Sequence, residues 1–259
     1  MTAHLDGSIR RRLGSACDAS VLCAIAAVAW LITARAAVET AAMPGTMGLG
    51  VIGFVGMWTL MMTAMMLPSI SPLTGLYLRV TPDHRTTRAI SLAAGYLTVW
   101  ATAGLGAFAL AAGAERLAVS APDSAHATAV AVCAACGVYQ MTSLKGRCLA
   151  HCRTPLGHLL RYRSMTGPLV ELRVGISHGG WCLACCWSLM VVLIAFGVMN
   201  LLIMAILAAV ILVEKLVAPG RWFSIVIGVA SCALAVGVWI DPSLAPGLHP
   251  GATMVQMKM

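Results

Sequence analysis

Apolar runs of about twenty residues recur seven times along this chain, near 16–37, 48–67, 89–112, 125–144, 179–198, 201–217 and 222–240. A helix of ~20 apolar residues crosses a ~30 Å hydrocarbon core. Inside lipid only helices and closed barrels satisfy their own backbone, and runs this long do not suit barrel strands. The expected fold is therefore all-α: a polytopic transmembrane helix bundle of about seven spans, forming one domain over 1–259. Composition agrees, since 60% of the residues are apolar and 10% charged, against roughly 45–50% and about 25% in soluble domains. That balance excludes an ordinary soluble enzyme, a disordered chain and a small disulfide-stapled domain. No Walker loop, dinucleotide fingerprint or H-E-x-x-H motif is present in the sequence.

The net charge of +8 reads as topology, not as nucleic-acid binding. With Arg10, Arg11 and Arg12 placed in the cytoplasm, all of the 17 Lys and Arg residues except Arg35, Arg116 and Lys258 fall on that side. This is the asymmetry the positive-inside rule requires. The C-terminus is then external, and the expected location is a cell inner membrane. The first run exceeds a signal peptide's 7–15-residue apolar core, so it reads as a retained helix. Residues 145–178 form a cytoplasmic basic segment, with an interfacial helix expected after Pro155 that lays Leu156, Leu159, Leu160 and Tyr162 on the headgroup layer. Gly48, Gly53, Gly56, Gly104 and Gly106 are expected to let backbones approach one another. Glu214 and Lys215 end the sixth run, read either as an adjacent pair snorkelling to the interface or as a functional carboxylate.

The sulfur content needs its own account: 10 Cys and 16 Met in 259 residues. Cys148 and Cys152 share a helix face, one turn apart. After them comes His178-Gly-Gly-Trp-Cys182-Leu-Ala-Cys185-Cys186-Trp187. At about 100° per residue, His178, Cys182, Cys185 and Cys186 fall within an arc of roughly 100°, a single stripe if the helix extends back to His178. Both segments lie at the cytoplasmic membrane edge in this topology and are expected to converge. The second run adds Met57, Met61 and Met65 at i, i+4, i+8, with Met62 and Met66 beside them. A methionine stripe is good core filler, yet thioether is also a soft donor. Cys133 and Cys136 form a C-x-x-C within the fourth run, read as core residues or a redox or metal pair. Cys17, Cys23 and Cys232 stand alone. His249, Met254, Met257 and Met259 make a weak metal-capturing pattern in the tail.

Three chemistries suit the thiol cluster. Thiolates select Cu(I), zinc or iron–sulfur clusters, and Lys145, Arg147 and Arg153 nearby would favour the thiolate form. The candidate metal ligands are Cys148, Cys152, Cys182, Cys185, Cys186, His178, Met61 and Met65. Copper is the first expectation, because a methionine stripe suits Cu(I), and a structural zinc site is the alternative. A thiol–disulfide oxidoreductase using Cys182 and Cys185 is the third reading, although redox exchange needs neither the vicinal third thiol nor the methionines. No catalytic residue is assigned.

Five blocks stand in a telling order: Trp58 to Pro68, Tyr139 to Pro155, Cys182 to Met190, Gly197 to Asn200, and Glu214-Lys215. In these the chain resembles the bacterial predicted metal-binding integral membrane proteins, a family defined by a domain of unknown function. The resemblance runs from the second run to Lys215 and leaves out the first helix and the tail. It implies metal binding at Cys148, Cys152, Cys182, Cys185 and Cys186. Met61, Met65, Met66, Tyr139, Gln140, Lys145 and Glu214 match motif positions. The expected role is copper handling, as a subunit or assembly factor of a membrane copper oxidase or oxygenase. The expected partners are the bilayer, other membrane proteins or a second copy, and no nucleic acid.

Overall fold

The computed structural model describes residues 2–40, 45–80, 84–154, 169–216 and 221–248, with side chains from residue 20 onward except at 40 and 80. Those residues form eight α-helices and, among them, no strand. The helices are α1 (Thr2–Thr40), α2 (Val51–Val80), α3 (Arg85–Ser120), α4 (Pro122–Met141), α5 (Ser143–Arg153), α6 (Val170–Ala195), α7 (Leu201–Leu216) and α8 (Arg221–Ile240). Two single 3₁₀ turns, Pro242–Leu244 and Pro246–Leu248, follow. The proposed interfacial helix after Pro155, the Arg10–Arg12 side chains, Cys17 and the Met-rich tail lie outside the described residues.

Five of the helices are long and apolar enough to cross a membrane: Ser20–Glu39 within α1, Val51–Arg79, Arg85–Ser120, Val170–Ala195 and Arg221–Ile240. The pair α4–α5 adds a sixth only if counted as one span bent by 65°. The sixth expected span, 201–217, is a helix of 16 residues, about 24 Å at 1.5 Å per residue, short of a ~30 Å core. The surface is compatible with insertion. Val28, Leu31, Ile52, Leu202 and Val236 are exposed, while Gln140, Lys145, His178, Glu214 and Lys215 are buried. Apolar groups face outward and polar groups inward.

The break between α4 and α5 has a local cause. Thr142 takes an extended conformation, φ −69 and ψ 152. Its hydroxyl donates to the Tyr139 carbonyl at 2.7 Å and accepts from the Lys145 amide at 3.2 Å, closing one helix and capping the next. The fourth run therefore does not continue straight to residue 144. It turns at Thr142 and carries Lys145, Cys148 and Leu149 back into the core.

α2 absorbs two internal prolines, Pro68 and Pro72. Pro72 can offer no N–H to the Pro68 carbonyl, and the Ser71 hydroxyl takes that role at 2.8 Å.

α3 packs on α6, α4 on α8, α1 on α2 and α2 on α3, while α7 touches α2, α5 and α6. Where lipid replaces water, such packing relies on close approach rather than on hydrophobic expulsion. Gly95 and Gly175 provide it for α3 and α6: a Cβ on either would lie 2.1 Å from the Leu172 or the Leu92 carbonyl oxygen, respectively. Gly137 and Gly228 do the same for α4 and α8. Of the five glycines expected in this role only Gly104 abuts another helix, through the Trp58 ring; Gly48, Gly56 and Gly106 face open space and Gly53 meets only Leu49 of its own segment.

Gly175→Val should push α3 from α6 and destabilise the protein by about 1–3 kcal/mol, the usual cost of overpacking. Gly106→Ala, on an exposed face with no atom within 4 Å, should instead stabilise by roughly 0.5–1 kcal/mol. Denaturant or thermal unfolding of the two variants in detergent checks the contrast.

Candidate metal centre

α6 begins at Val170, well before the expected span start at 179, so His178 does lie on one continuous helix with Cys182, Cys185 and Cys186. All four are buried. The extension also moves the thiols. Cys182 lies about 18 Å along this 26-residue helix at 1.5 Å per residue, near its middle and not at one edge.

α5 comes to meet them. Its Cys152 Sγ lies 3.9 Å from Cys185 Sγ on α6, so the two cysteine-bearing segments come together at these two thiols. Cys148, one turn earlier on α5, is buried. Cys185 and Cys186 both donate to the Cys182 carbonyl, at 3.1 and 2.9 Å. Cys182 itself points elsewhere. Its sulfur meets the Tyr96 hydroxyl at 2.8 Å and accepts from Lys215 Nζ at 2.8 Å. Lys215 also donates to Ser69 Oγ at 3.3 Å, joining α2, α3, α6 and α7 around one thiol. The His178 ring lies against Tyr96, centroids 6.1 Å apart. Among the described residues no three His, Cys, Asp or Glu side chains are gathered in a geometry that could hold a metal ion. The nine described cysteines are all free thiols.

Met61 and Met65 are buried on α2. Met62, Met65 and Met66 share the helix face of Ser69, at i−7, i−4 and i−3. The Ser69 hydroxyl also bonds the Met66 carbonyl at 2.7 Å. The methionine stripe thus leads to the serine that touches Lys215, with Met61 at its margin.

Glu214 and Lys215 are not each other's partners. Consecutive helix residues diverge by about 100°, and here one faces α5 and the other Cys182. Lys145, which has no exposed side-chain area, bonds both Glu214 carboxylate oxygens at 2.9 and 2.8 Å. It also donates to Gln140 Oε1. Ser224 Oγ donates to Glu214 at 2.9 Å, and Arg153 Nε donates to the Glu214 carbonyl at 2.6 Å. The cation hydrogen-bonded to a thiol is therefore Lys215, whereas Lys145 is committed to the Glu214 carboxylate and Arg153 Nε to the Glu214 carbonyl. Tyr139 donates to the Ala184 carbonyl and packs edge-on against Trp187, 5.1 Å between centroids, seating α4 beside the thiol stripe.

A cavity of about 150 Å³ opens beside these groups, with Ser69, Cys152, Arg153, His178 and Lys215 in its wall. Sequence reasoning placed Cys152 and His178 in the site but not Tyr96, Ser69 or the Lys215–Cys182 bond. A lysine closing an apolar run was the one available signal for the last.

The family described as PpoB2, a copper chaperone, matches residues 55–239, from within α2 to the end of α8. No curated protein and no solved structure gives a match.

Removing one member of a buried pair strands the other charge, at about 3–5 kcal/mol, whereas replacing both with apolar residues often costs little. Lys145→Met and Glu214→Leu should each destabilise by that amount, and the double variant should be more stable than either. Unfolding of the three variants in detergent tests this.

Proposed function

The chain belongs to the PpoB2 family of copper chaperones, and from that premise we propose that it is a multi-pass membrane protein carrying Cu(I) as cargo on thiols of α5 and α6. The observation that carries the reading is the approach of Cys152 and Cys185, from different helices, to 3.9 Å. Metal–thiolate bonds of about 2.3 Å put two sulfurs on one ion roughly 3.8 Å apart in a tetrahedral arrangement and 4.6 Å apart in a linear one. The observed separation lies within that range. Soft thiolate and thioether donors select Cu(I), and a two-sulfur seat suits an ion that must later be given up.

In this reading Cys152 and Cys185 are the holding pair. Cys148 on α5 and Cys182, Cys186 and His178 on α6 are further donors, and Met65 and then Met61 extend soft donors along α2. Loading requires the thiols to release protons. Two thiolates on Cu(I) leave one net negative charge, which the Lys215 ammonium stands close enough to offset. The basic segments lie in the cytoplasm, with the C-terminus outside an inner membrane. The recipient is a copper-requiring membrane oxidase or oxygenase, for which the chain acts as subunit or assembly factor.

Purified in detergent and titrated with Cu(I) against a chromogenic chelator, the protein should bind copper tightly. Cys152→Ser and Cys185→Ser should each weaken that binding by more than the ~10–100-fold typical of a supporting residue. Cys23→Ser, on an exposed face of α1, should behave as the parent. Copper binding intact in both ligand variants, or stoichiometric zinc in place of copper, would overturn the proposal.

A further inference from the structure

The cavity beside Cys152 has an unusual charge balance. Among the described residues its wall includes Arg153 and Lys215 and no carboxylate. Arg153 touches Glu214, but only at its backbone carbonyl. The Glu214 carboxylate is turned away and taken by Lys145 and Ser224. Arg153 Nη2 is buried and without a hydrogen-bond partner among the described residues, and residues 155–168, which follow α5, contain neither Asp nor Glu. Lys215 is buried too, and its partners are a thiol and a hydroxyl. Even with Cys182 as a thiolate facing Lys215, Arg153 has no anionic side chain bonded to it among the described residues. Two cations in one cavity wall, with no described acid beside them, favour an anionic guest, and the cavity lies against one thiol of the proposed holding pair.

We propose that the cavity between α2, α5, α6 and α7 is a loading port that takes Cu(I) as an anionic complex of a small carboxylated thiol, the Arg153 guanidinium binding the incoming thiolate or carboxylate group. The inference rests on the reading of Cys152 and Cys185 as the copper seat. Cu(I) held by two thiolates bears one net negative charge, and carboxylates on the carrier add more. Arginine is suited to the task because its planar fork is always charged and binds carboxylate through two parallel bonds. Transfer is ligand exchange. The Cys152 sulfur bonds to copper as one carrier thiolate leaves with the proton that Cys152 gives up, and Cys185 then displaces the second in the same way. Copper stays in the +1 state, no electron moves, and two carrier molecules leave with their thiols protonated and their carboxylates still charged.

The test compares two copper donors on the detergent-purified full chain. One is the Cu(I)–glutathione complex, anionic; the other is the Cu(I)–acetonitrile complex, cationic. Loading rates are followed by stopped-flow for the parent, Arg153→Gln and Arg153→Lys. Arg153→Gln should load about 10-fold more slowly from the glutathione complex, the low end of electrostatic effects on association, and less than twofold more slowly from the acetonitrile complex. Arg153→Lys, which keeps the charge, should recover most of the lost rate. Loading of the parent from the anionic donor should slow as salt screens the port. Equal slowing from both donors would make Arg153 a packing residue through its bond to Glu214, and no slowing from either would put the route elsewhere; both outcomes overturn the port. Bound copper at equilibrium is measured on the same samples. Its absence from the parent defeats the seat itself, whereas normal stoichiometry with donor-blind kinetics defeats only the port.

Discussion

The arrangement of this molecule depends on a buried ammonium–carboxylate pair. Lys145 and Glu214 lie in the helical core with their charges satisfied by each other, by Gln140 and by Ser224. Such a pair contributes little net stability relative to apolar residues of the same size, but it tolerates no loss of either member. Its consequence here is positional. α5 is tied to Glu214 twice, by Lys145 to the side chain and by Arg153 to the carbonyl. Cys148 and Cys152 lie on α5 between those two attachments, so the thiols arrive opposite α6 because the charges hold their helix there.

The divergence of Glu214 and Lys215 divides the core into two polar networks. One is neutral overall, lies between α4, α5, α7 and α8, and fastens the frame. The other contains Lys215, Cys182, Tyr96 and Ser69, and it joins α2, α3, α6 and α7 around a sulfur atom. The boundary between them is the cavity wall, where Arg153 and Cys152 are neighbours in the chain. A helix places adjacent residues about 100° apart. Two steps in sequence, 152–153 and 214–215, are thereby enough to hold a scaffold on one side and present a thiol and a cation on the other.

Much of the helical plan was legible in the chain. Long apolar runs predict helices wherever backbone must satisfy itself, and all seven runs fall on helices. The thiol stripe from His178 to Cys186 followed from helical periodicity alone, as did the pairing of Cys148 with Cys152 on one face. What misled was the assumption that apolar runs and helices share their ends. α6 starts in the basic segment and carries its thiols to mid-helix, and the fourth run breaks at Thr142, whose hydroxyl caps two helices. A Thr-Ser step inside an apolar run is a weak signal, because such residues also sit within continuous helices with their hydroxyls on the preceding turn. The packing glycines were misplaced for a related reason: a glycine in an apolar run shows that close approach is possible but not which neighbour makes it.

By itself the sequence determined that the fold is helical, that its surface is apolar, and that soft sulfur donors are grouped on the faces of a few helices; those properties follow from composition and from the 3.6-residue period. Only the tertiary structure decided which sulfur atoms meet and which charges are left over. Cys152 reaches Cys185 because α5 folds back 65° from α4. Lys215 reaches Cys182 on α6, while Lys145, distant in the chain, takes Glu214. Choices between partners of equal chemistry depend on distances between helices, and periodicity within one helix holds no information about them.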